Sequence, residues 1–377
     1  MLKRKAASQV ATIALDPLVV SAVRAGANVI FNLSGGKDSG ASALATTQWL
    51  DAIGHPRERR MAIHSDLGQI EWRSTLDIVR QVADAAGVPL LVVSRRAGGL
   101  IERWRQRFSS GKARYEALET YHLIGPFSSS ALRFCTSELK AQVIGSEIAR
   151  RFRGQTTISV LGLRRDESAA RASISIAKQD YRFASAGNRA RTNMLTWNPI
   201  ADWSAFDTFA LHERLQLPLH EAYLRYGATR LGCSFCVLAS LESLIASTRA
   251  DDNIATLAEL TMLEATSTFS FQPSRWLGDV APDLLTGDIR QALLIGKVRA
   301  LERRSLEMAL PRDLRFTRGY PPRIPTLGEA ARIATTRAAI LAHHDLPNHF
   351  PTASAVIDRF AELHRKHGNA PSPSICS

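Results

Sequence analysis

Short β-rich runs alternate with helical stretches through the first half of the chain, and this alternation limits the possible folds more than any other feature. Residues 28–33 (NVIFNL) have the composition of a buried strand, and residues 39–53 have the pattern of a helix that Gly54 and Pro56 would end. Strands separated by helices are typical of a parallel sheet with helices packed on both faces. We therefore predict an α/β fold with a doubly wound parallel sheet. The other predicted strands are 61–64, 90–93 and 158–161, and the predicted helices between them are 72–86 and 138–152.

The second half of the chain has a different pattern. Residues 171–196 are polar and rich in Ala, Ser and Arg without sustained periodicity, so we predict a long surface connection there. A regular pattern returns at Trp197, and residues 237–310 are mostly helical in character. A break rich in Pro and Arg at 311–325 separates them from a last helical stretch at 327–366. The sequence thus predicts a mostly helical C-terminal region.

The length and composition are those of a globular protein with two domains. The chain has 377 residues, of which 45% are hydrophobic and 22% are charged, and this excludes disordered and fibrous classes. We place the first domain at 1–240 and a helical, basic second domain at 241–377. The sequence has no run of about 18 apolar residues, so no membrane span is predicted. Four cysteines are too few for a disulfide framework, which favours a reducing, cytoplasmic compartment.

The chain carries a large excess of positive charge, with 48 Lys and Arg against 35 Asp and Glu and a net charge of +13. Such an excess favours a polyanionic partner such as a nucleic acid, because neutralising phosphates releases their counterions. Two groups of residues are candidates for this contact. The first group mixes cations with rings that would stack on unpaired bases, although it also fits an amphipathic helix with buried aromatics. The first group is Arg103, Trp104, Arg105, Arg107, Phe108, Lys112, Arg114 and Tyr115, and the second is Lys297, Arg299, Arg303, Arg304, Arg312, Arg315, Arg318 and Arg323.

A glycine-rich turn, SGGKDS, joins the first predicted strand to its helix. Glycines allow a tight turn that brings backbone N–H groups against a phosphate, and the helix N-terminus adds partial positive charge. The spacing matches neither G-x-x-x-x-G-K-[ST] nor G-x-G-x-x-G, so the common nucleotide-binding loops are not implied. The turn therefore predicts an anion site of another kind. Its residues are Ser34, Gly35, Gly36, Lys37, Asp38 and Ser39.

Two more polar segments follow predicted strands at the ends where open parallel sheets bind ligands. Asp66 lies in HSDLG after the second strand, close to His64, a histidine that is either a catalytic base or structural. Gly162, Arg164 and Arg165 lie in GLRRDES after the fourth strand. The guanidinium group of arginine binds two phosphate oxygens in a bidentate manner, although these residues also fit a solvated charge cluster. We include Asp66, Gly162, Arg164 and Arg165 in the candidate nucleotide site.

These blocks occur in the same order as in a known enzyme family. Together with RFCTSELK at 133–140 and RLGCSFC at 230–236, they resemble the phosphoadenylylsulfate (PAPS) reductase-like branch of the PP-loop ATP pyrophosphatases. The resemblance extends over roughly residues 25–240. It implies a PP-loop, HUP-like fold and a reaction in which ATP is split between its α and β phosphates.

The resemblance also implies roles for the residues of the turn. Ser34, Gly35, Gly36 and Ser39 would hold the pyrophosphate, and Asp38 would position Mg²⁺ or the loop itself. The catalytic residues would then be Lys37, Asp38 and Arg164, because Lys37 and Arg164 would offset the charge that develops during the transfer.

Three cysteines are candidate metal ligands. Cys233 and Cys236 form a CxxC pair, which serves zinc, iron–sulfur clusters and thiol redox chemistry about equally. In iron–sulfur members of the resembled family, a cysteine at the position of Cys135 joins the later pair at one [4Fe-4S] cluster. Zinc held by the three cysteines and a histidine such as His220 is the alternative. Cys376 lacks the Glu-Cys-Gly-x-His context of sulfonucleotide reductases, which favours a tail thiol over a nucleophile.

The resemblance implies an ATP pyrophosphatase that adenylates a nucleic-acid oxygen so that sulfur can replace it. The chain is similar to the ATP pyrophosphatase component of bacterial DNA phosphorothioation systems, and the basic excess favours DNA, with tRNA thiolation as the next alternative. The expected cofactors are ATP with Mg²⁺ and a [4Fe-4S] cluster. The expected partners are DNA, a cysteine desulfurase that donates sulfur, and other subunits of a modification complex. A sulfonucleotide reductase and a non-enzymatic, nucleotide-gated DNA-binding module are further alternatives.

Overall fold

The computed structural model describes residues 12–182, 189–317 and 319–368. No helix in these ranges combines the length and the apolar character that a membrane span requires. In chain order the helices are α1 Pro17–Arg24, α2 Lys37–Ala52, α3 Thr75–Ala85, α4 Leu100–Glu116, α5 Phe134–Thr136, α6 Gln142–Arg151, α7 Ala205–Arg214, α8 Glu221–Leu224, α9 Leu241–Thr248, α10 Ile254–Ser267, α11 Gly287–Met308, α12 Leu327–His343 and α13 Ala353–Gly368. The strands are β1 Asn28–Asn32, β2 Arg60–Asp66, β3 Leu90–Ser94, β4 Thr156–Val160, β5 Ala177–Gln179 and β6 Asn193–Trp197.

The chain divides into two compact units. The first unit contains the chain up to Leu100 and continues with Ala131–Asn253, while the second contains Ile101–Ser130 and the chain from Ile254 onward. Residues 101–130, which the sequence-based division includes in the first domain, belong to the second unit, and residues 241–253 belong to the first.

A six-stranded sheet in the order β3-β2-β1-β4-β6-β5 forms the centre of the first unit. All pairs are parallel except β5 with β6. Val29 and Phe31 of β1 pack in a core with α2 and α3, whereas Ile30 faces the other side of the sheet and packs with Ile148 of α6. Helices thus cover both faces, which confirms the predicted doubly wound α/β fold. The strand order reverses between β1 and β4, and open parallel sheets bind their ligands at such a point.

Two strands lie in the segment 171–196, for which the sequence predicts a connection without regular structure. That prediction is wrong for β5 and β6. Strand β6 pairs with β4 on one side and β5 on the other, and its residues Met194, Leu195 and Trp197 are buried. A strand buried on both faces lacks the polar alternation that marks a strand in the sequence. Residues 183–188 of this connection lie outside the described residues.

Helices make up most of the C-terminal region, as predicted. The interval 237–310 contains α9, α10 and α11, and the interval 327–366 contains α12 and α13. The sequence predicts one last helical stretch, but the structure divides it at residues 344–352. Pro347 and Pro351 lie in this break, and proline cannot continue a helical hydrogen-bond pattern.

The basic and aromatic segment of α4 is part of the core of the second unit. Trp104 is 1% exposed, Phe108 is 7% exposed and Tyr115 is fully buried. Trp104 packs edge to face against Phe271, with ring centroids 5.8 Å apart. The segment is therefore an amphipathic helix with buried aromatics, and these three rings present no free face on which a base could stack.

Several cations of the C-terminal basic set form ion pairs with carboxylates of the second unit. Arg303 is 3% exposed and donates to Glu307 at 2.7 Å. Arg323 pairs with Asp313 and Glu329, and Lys297 pairs with Asp279. Arg318 lies outside the described residues. The remaining members, Arg299, Arg304, Arg312 and Arg315, are exposed.

Candidate functional site

The glycine turn lies at the carboxyl end of β1, where the strand order reverses. Gly35 has a φ of +74°, a left-handed conformation that favours glycine, and Gly36 directly precedes the first turn of α2. The hydroxyl of Ser39 accepts the N–H of Ser34 at 3.2 Å and donates to the carbonyl of Gly36 at 2.9 Å. These bonds fold the turn against the N-terminus of α2, which is the arrangement that an anion-binding turn requires.

Strand β4 ends at a point that touches this turn. A Cβ atom at Gly162 would lie 2.5 Å from the carbonyl oxygen of Asp38 and 2.6 Å from the nitrogen of Ser39. Both are backbone atoms, which cannot rotate away. Glycine at position 162 therefore allows the end of β4 to approach α2, and it brings GLRRDES beside SGGKDS.

Lys37, Asp38 and Arg164 form a buried ion network at the turn. Asp38 Oδ2 accepts from Lys37 Nζ at 3.0 Å, and Asp38 Oδ1 accepts from Arg164 Nε at 2.7 Å. Arg164 also pairs with Asp166. The exposed fractions of Lys37, Asp38 and Arg164 are 4%, 9% and 4%. Because the two cations engage both carboxylate oxygens, Asp38 orders the loop in this structure.

Side chains from α7 and α8 hold the first turn of α2. His212 donates to the carbonyl of Lys37 at 2.8 Å, and burial lowers the pKa of His212, which keeps the ring neutral. Lys37 Nζ lies 5.4 Å from the ring centroid of Phe209 and 5.6 Å from that of Tyr223. The ammonium group of Lys37 is thus enclosed by rings and by Asp38, which fixes its position.

Tyr223 and Leu231 lie against the glycine turn. The Tyr223 hydroxyl accepts the N–H of Lys37 at 3.4 Å and the N–H of Leu231 at 3.1 Å. Burial, followed by the negative charge of Asp38, raises the pKa of Tyr223 to about 12, so the hydroxyl keeps its proton. A Cβ atom on Gly35 or Gly36 would lie 3.6 or 3.7 Å from Leu231. In this conformation Tyr223 therefore takes a backbone donor of the turn that an anion would otherwise use.

Arginines from three separate segments crowd around the same end of the sheet. Glu167 pairs with Arg171 and lies 3.7 Å from Arg230. Burial, and then the charges of Arg230 and Arg133, lower the pKa of Arg171 to about 10, and Arg164 adds to this effect. Because repulsion between like charges weakens with distance, the lowered pKa of Arg171 indicates that these cationic groups lie close together. Arg133, Arg171 and Arg230 have no role in the prediction from sequence, because Arg133 and Arg230 lie far from Arg164 along the chain and Arg171 lies outside the GLRRDES block.

The other predicted nucleotide residues have simpler surroundings. Asp66 is exposed at the end of β2, where it accepts the N–H of Gly68 at 2.7 Å. Arg165 pairs with Asp202 and donates to the carbonyl of Ile174. His64 is buried between the carbonyl of Leu33 and the carboxylate of Glu71, so its surroundings are those of a structural histidine.

The three predicted metal ligands share one neighbourhood of the first unit. Burial raises the pKa of Cys236 and raises that of Cys233 to about 12, and a thiolate at Cys135 would raise both further, which indicates that the three sulfurs lie near one another. Within the described residues, however, no three His, Cys, Asp or Glu side chains are arranged as ligands of a metal ion. No reaction step is therefore derived through a cluster. Cys376 lies outside the described residues.

His220, the predicted alternative zinc ligand, is fully buried and uses both ring nitrogens within the protein. Nδ1 accepts the N–H of Ala222 at 3.0 Å, and Nε2 lies 3.2 Å from the hydroxyls of both Ser74 and Thr75. Burial lowers the pKa of His220 to about 4, so the ring is neutral at physiological pH. In this structure His220 joins α8 to the start of α3 and has no nitrogen free for zinc.

Comparisons with known sequences and structures identify the family of this chain. No curated protein sequence matches the chain significantly. A crystal structure of phosphoadenylyl-sulfate (PAPS) reductase from Candida auris, in complex with phosphate, aligns with 57% of this chain and 86% of its own length, at 16% identity and a TM-score of 0.36. The sequence model of the phosphoadenosine phosphosulfate reductase domain matches residues 28–239, from the first strand through the CxxC pair. The enzymes of this family act on nucleotides and include sulfonucleotide reductases and related nucleotide α-hydrolases. More than half of the chain, including every segment around the glycine turn, is matched, and the protein therefore belongs to the phosphoadenosine phosphosulfate reductase domain family.

Proposed function

We propose that this chain is an ATP pyrophosphatase that adenylates an oxygen of a nucleic acid so that sulfur can replace it. We further propose DNA as the nucleic acid, which makes phosphorothioate modification the overall reaction. The family membership supports action on a nucleotide, while the choice of ATP and DNA rests on the site and on the charge of the chain.

The crowding of arginines beside the glycine turn carries this proposal. The positive charges of Arg230, Arg133 and Arg164 all act on Arg171, and Arg171 and Arg230 both lie close to the carboxylate of Glu167. Crowded cations in a half-buried site are stabilised by an anionic ligand, and a triphosphate brings about four negative charges. The turn itself supplies backbone N–H groups and the N-terminus of α2 to the same ligand.

The reaction needs an in-line transfer at the α-phosphate of ATP. An oxygen of the acceptor attacks that phosphorus, a P–O bond to AMP forms, and pyrophosphate leaves. The turn and the arginines would bind the leaving pyrophosphate and stabilise its charge. A hydrosulfide then attacks the activated centre, and AMP departs with the original oxygen. Since Asp38 is engaged, we assign Mg²⁺, which offsets phosphate charge, to the exposed carboxylate of Asp66.

The net charge of +13 supports a polyanionic acceptor. The exposed arginines of the second unit, Arg299, Arg304, Arg312 and Arg315, are available to phosphates of a duplex. A cysteine desulfurase would supply the sulfur as a persulfide, a thiol reductant would reduce that persulfide to hydrosulfide, and other modification subunits would complete the system. A [4Fe-4S] cluster on Cys135, Cys233 and Cys236 is retained as a proposal that requires these side chains to turn toward one another. Iron and sulfide analysis of anaerobically purified protein tests it, and zinc in place of iron would contradict it.

The decisive experiment measures pyrophosphate release from ATP with duplex DNA and sulfide present. We expect release that depends on DNA, together with phosphorothioate dinucleotides in the digested product. Arg171→Ala should reduce the rate by about tenfold or more, since hydrogen bonds between charged groups contribute about 1.5–3 kcal/mol. Arg80→Ala serves as the matched control, because Arg80 lies on the surface and pairs with Asp77 in the same helix.

Other outcomes would contradict the proposal in different ways. Pyrophosphate release that depends on tRNA instead of DNA would show that the reaction is tRNA thiolation. Sulfite formation from a sulfonucleotide, lost in Cys376→Ser, would identify a reductase. DNA binding that responds to ATP without any pyrophosphate release would show that the protein is a nucleotide-gated DNA-binding module and not an enzyme of this kind.

Tyr223→Phe is expected to tighten ATP binding by about fivefold, because the hydroxyl no longer competes for the N–H of Lys37 and a neutral hydrogen bond contributes about 1 kcal/mol. Titration calorimetry with a non-hydrolysable ATP analogue measures the change. Tyr226→Phe is the control, since the Tyr226 ring stacks on Trp72 with centroids 5.6 Å apart. Weaker binding by Tyr223→Phe would show instead that the hydroxyl contacts the nucleotide.

A further inference from the structure

Helix α11 of the second unit has two apolar faces, of which only one is covered. It spans 22 residues, and one face buries Leu293, Gly296, Ala300 and Arg303. A Cβ atom on Gly296 would lie 2.6 Å from the backbone of Ala265 in α10, so these two helices are in close contact. The buried face anchors α11 in the unit and leaves the opposite face toward solvent.

The opposite face carries a row of exposed apolar side chains. Leu294 is 57% exposed, Val298 65%, Leu301 67% and Met308 81%. Their spacing of four, three and seven residues matches the a and d positions of a heptad pattern, which places them in one seam along the helix. A helix that is apolar on both faces normally has a partner on each, and contiguous exposed apolar surface marks an interaction site.

The borders of this seam differ in charge. Arg290, Lys297 and Arg304 follow one border at intervals of seven residues, whereas Ile295 and Glu302 lie on the other. Arg290 donates to the backbone carbonyls of Pro282 and Leu285, and Arg304 donates to the hydroxyl of Ser270 at 3.4 Å. Within the described residues neither Arg290 nor Arg304 has a carboxylate partner, whereas Lys297 pairs with Asp279.

We propose that the α11 seam is a docking surface for an amphipathic helix of another protein, with leucine-like residues in its own seam and acidic residues along the border that faces Arg290, Lys297 and Arg304. A second copy of this chain fits less well. In an antiparallel pair the two cationic borders would face each other, and in a parallel pair Arg290 would face Ile295 and only Lys297 would face a carboxylate, Glu302. An acidic partner helix matches all three cations.

Binding of a synthetic four-heptad peptide to the full-length chain tests the proposal. The peptide has leucine at its a and d positions, glutamate at e and g, and a fluorescent label, and a second peptide has lysine in place of glutamate. We expect the acidic peptide to bind at least about tenfold more tightly than the lysine peptide at about 50 mM salt, and this difference should shrink at about 500 mM salt.

Two variants localise the binding. Leu301→Glu should weaken binding of the acidic peptide by at least about tenfold, since a charge replaces an apolar seam contact. Leu327→Glu, at a leucine that is 69% exposed on α12, is the matched control and should bind as the wild type does. The double variant Arg290→Glu with Arg304→Glu should reverse the preference in favour of the lysine peptide. Circular dichroism checks that each variant is folded.

Three results would overturn the proposal. Equal affinity for both peptides would mean that the seam does not discriminate between acidic and basic helices. Absence of binding would mean that the seam does not bind an amphipathic helix. Sedimentation that shows a dimer of the wild type, lost in Leu301→Glu, would assign the seam to a second copy of the chain.

Discussion

Gly162→Ala is expected to weaken ATP binding by about 10- to 100-fold and to destabilise the first unit. The added Cβ atom would lie 2.5 Å from the carbonyl oxygen of Asp38, so either β4 or the first turn of α2 must move. Overpacking of this kind costs about 1–3 kcal/mol, and the displaced atoms belong to the turn that would bind the phosphates. Calorimetric titration with an ATP analogue and urea unfolding measure the two effects.

Gly328→Ala provides the matched control for this substitution. Gly328 lies in α12, and a Cβ atom there would have no atom within 4 Å. Alanine should leave ATP binding unchanged and stabilise the helix by about 0.5–1 kcal/mol. If Gly162→Ala bound ATP as tightly as the wild type, the close approach of β4 would have no part in forming the nucleotide site.

Asp38→Asn is expected to lower the free energy of unfolding by about 3–5 kcal/mol, because it leaves two buried cations without their shared carboxylate. Lys37 and Arg164 are each 4% exposed, so water cannot replace the lost partner. Urea unfolding followed by tryptophan fluorescence measures the change. ATP binding should be lost together with stability, since the same network fixes the start of α2.

An exposed ion pair shows what burial contributes. Asp77 pairs with Arg80 on α3 at 2.9 Å, and both side chains are more than half exposed. Asp77→Asn should therefore change the free energy of unfolding by no more than about 0.5 kcal/mol. Equal effects of Asp38→Asn and Asp77→Asn would contradict the conclusion that the buried network orders the phosphate turn.

Much of the fold was predictable because its strands are short, apolar and followed by helices. The predicted strand at 90–93 and the observed Leu90–Ser94 differ by one residue, and the predicted strand at 61–64 lies within Arg60–Asp66. The prediction failed at β6, where a run of five residues follows a polar connection. Its strand conformation depends on pairing with β4 and β5, and a single sequence carries no record of that pairing.

The candidate site was predictable only where one segment supplies several of its groups. SGGKDS and GLRRDES contain Lys37, Asp38, Gly162 and Arg164, and the structure brings these residues together. The arginines that surround them were missed, as was Tyr223. The sequence left two interpretations of α4 open, namely stacking on bases and an amphipathic helix with buried aromatics. Burial of Trp104 and Tyr115 supports the amphipathic helix.

The order of the first four strands, the family and the position of the glycine turn were determined by the sequence alone, because periodicity and glycine requirements act between near neighbours. The tertiary structure alone decided what surrounds that turn. Arg164 reaches Asp38 across 126 positions of the chain, and the Tyr223 hydroxyl reaches the N–H of Lys37 across 186. Such contacts exist because parallel strands place their carboxyl ends at one edge of the sheet, and the strand order that brings β4 beside β1 is set by packing of the whole unit.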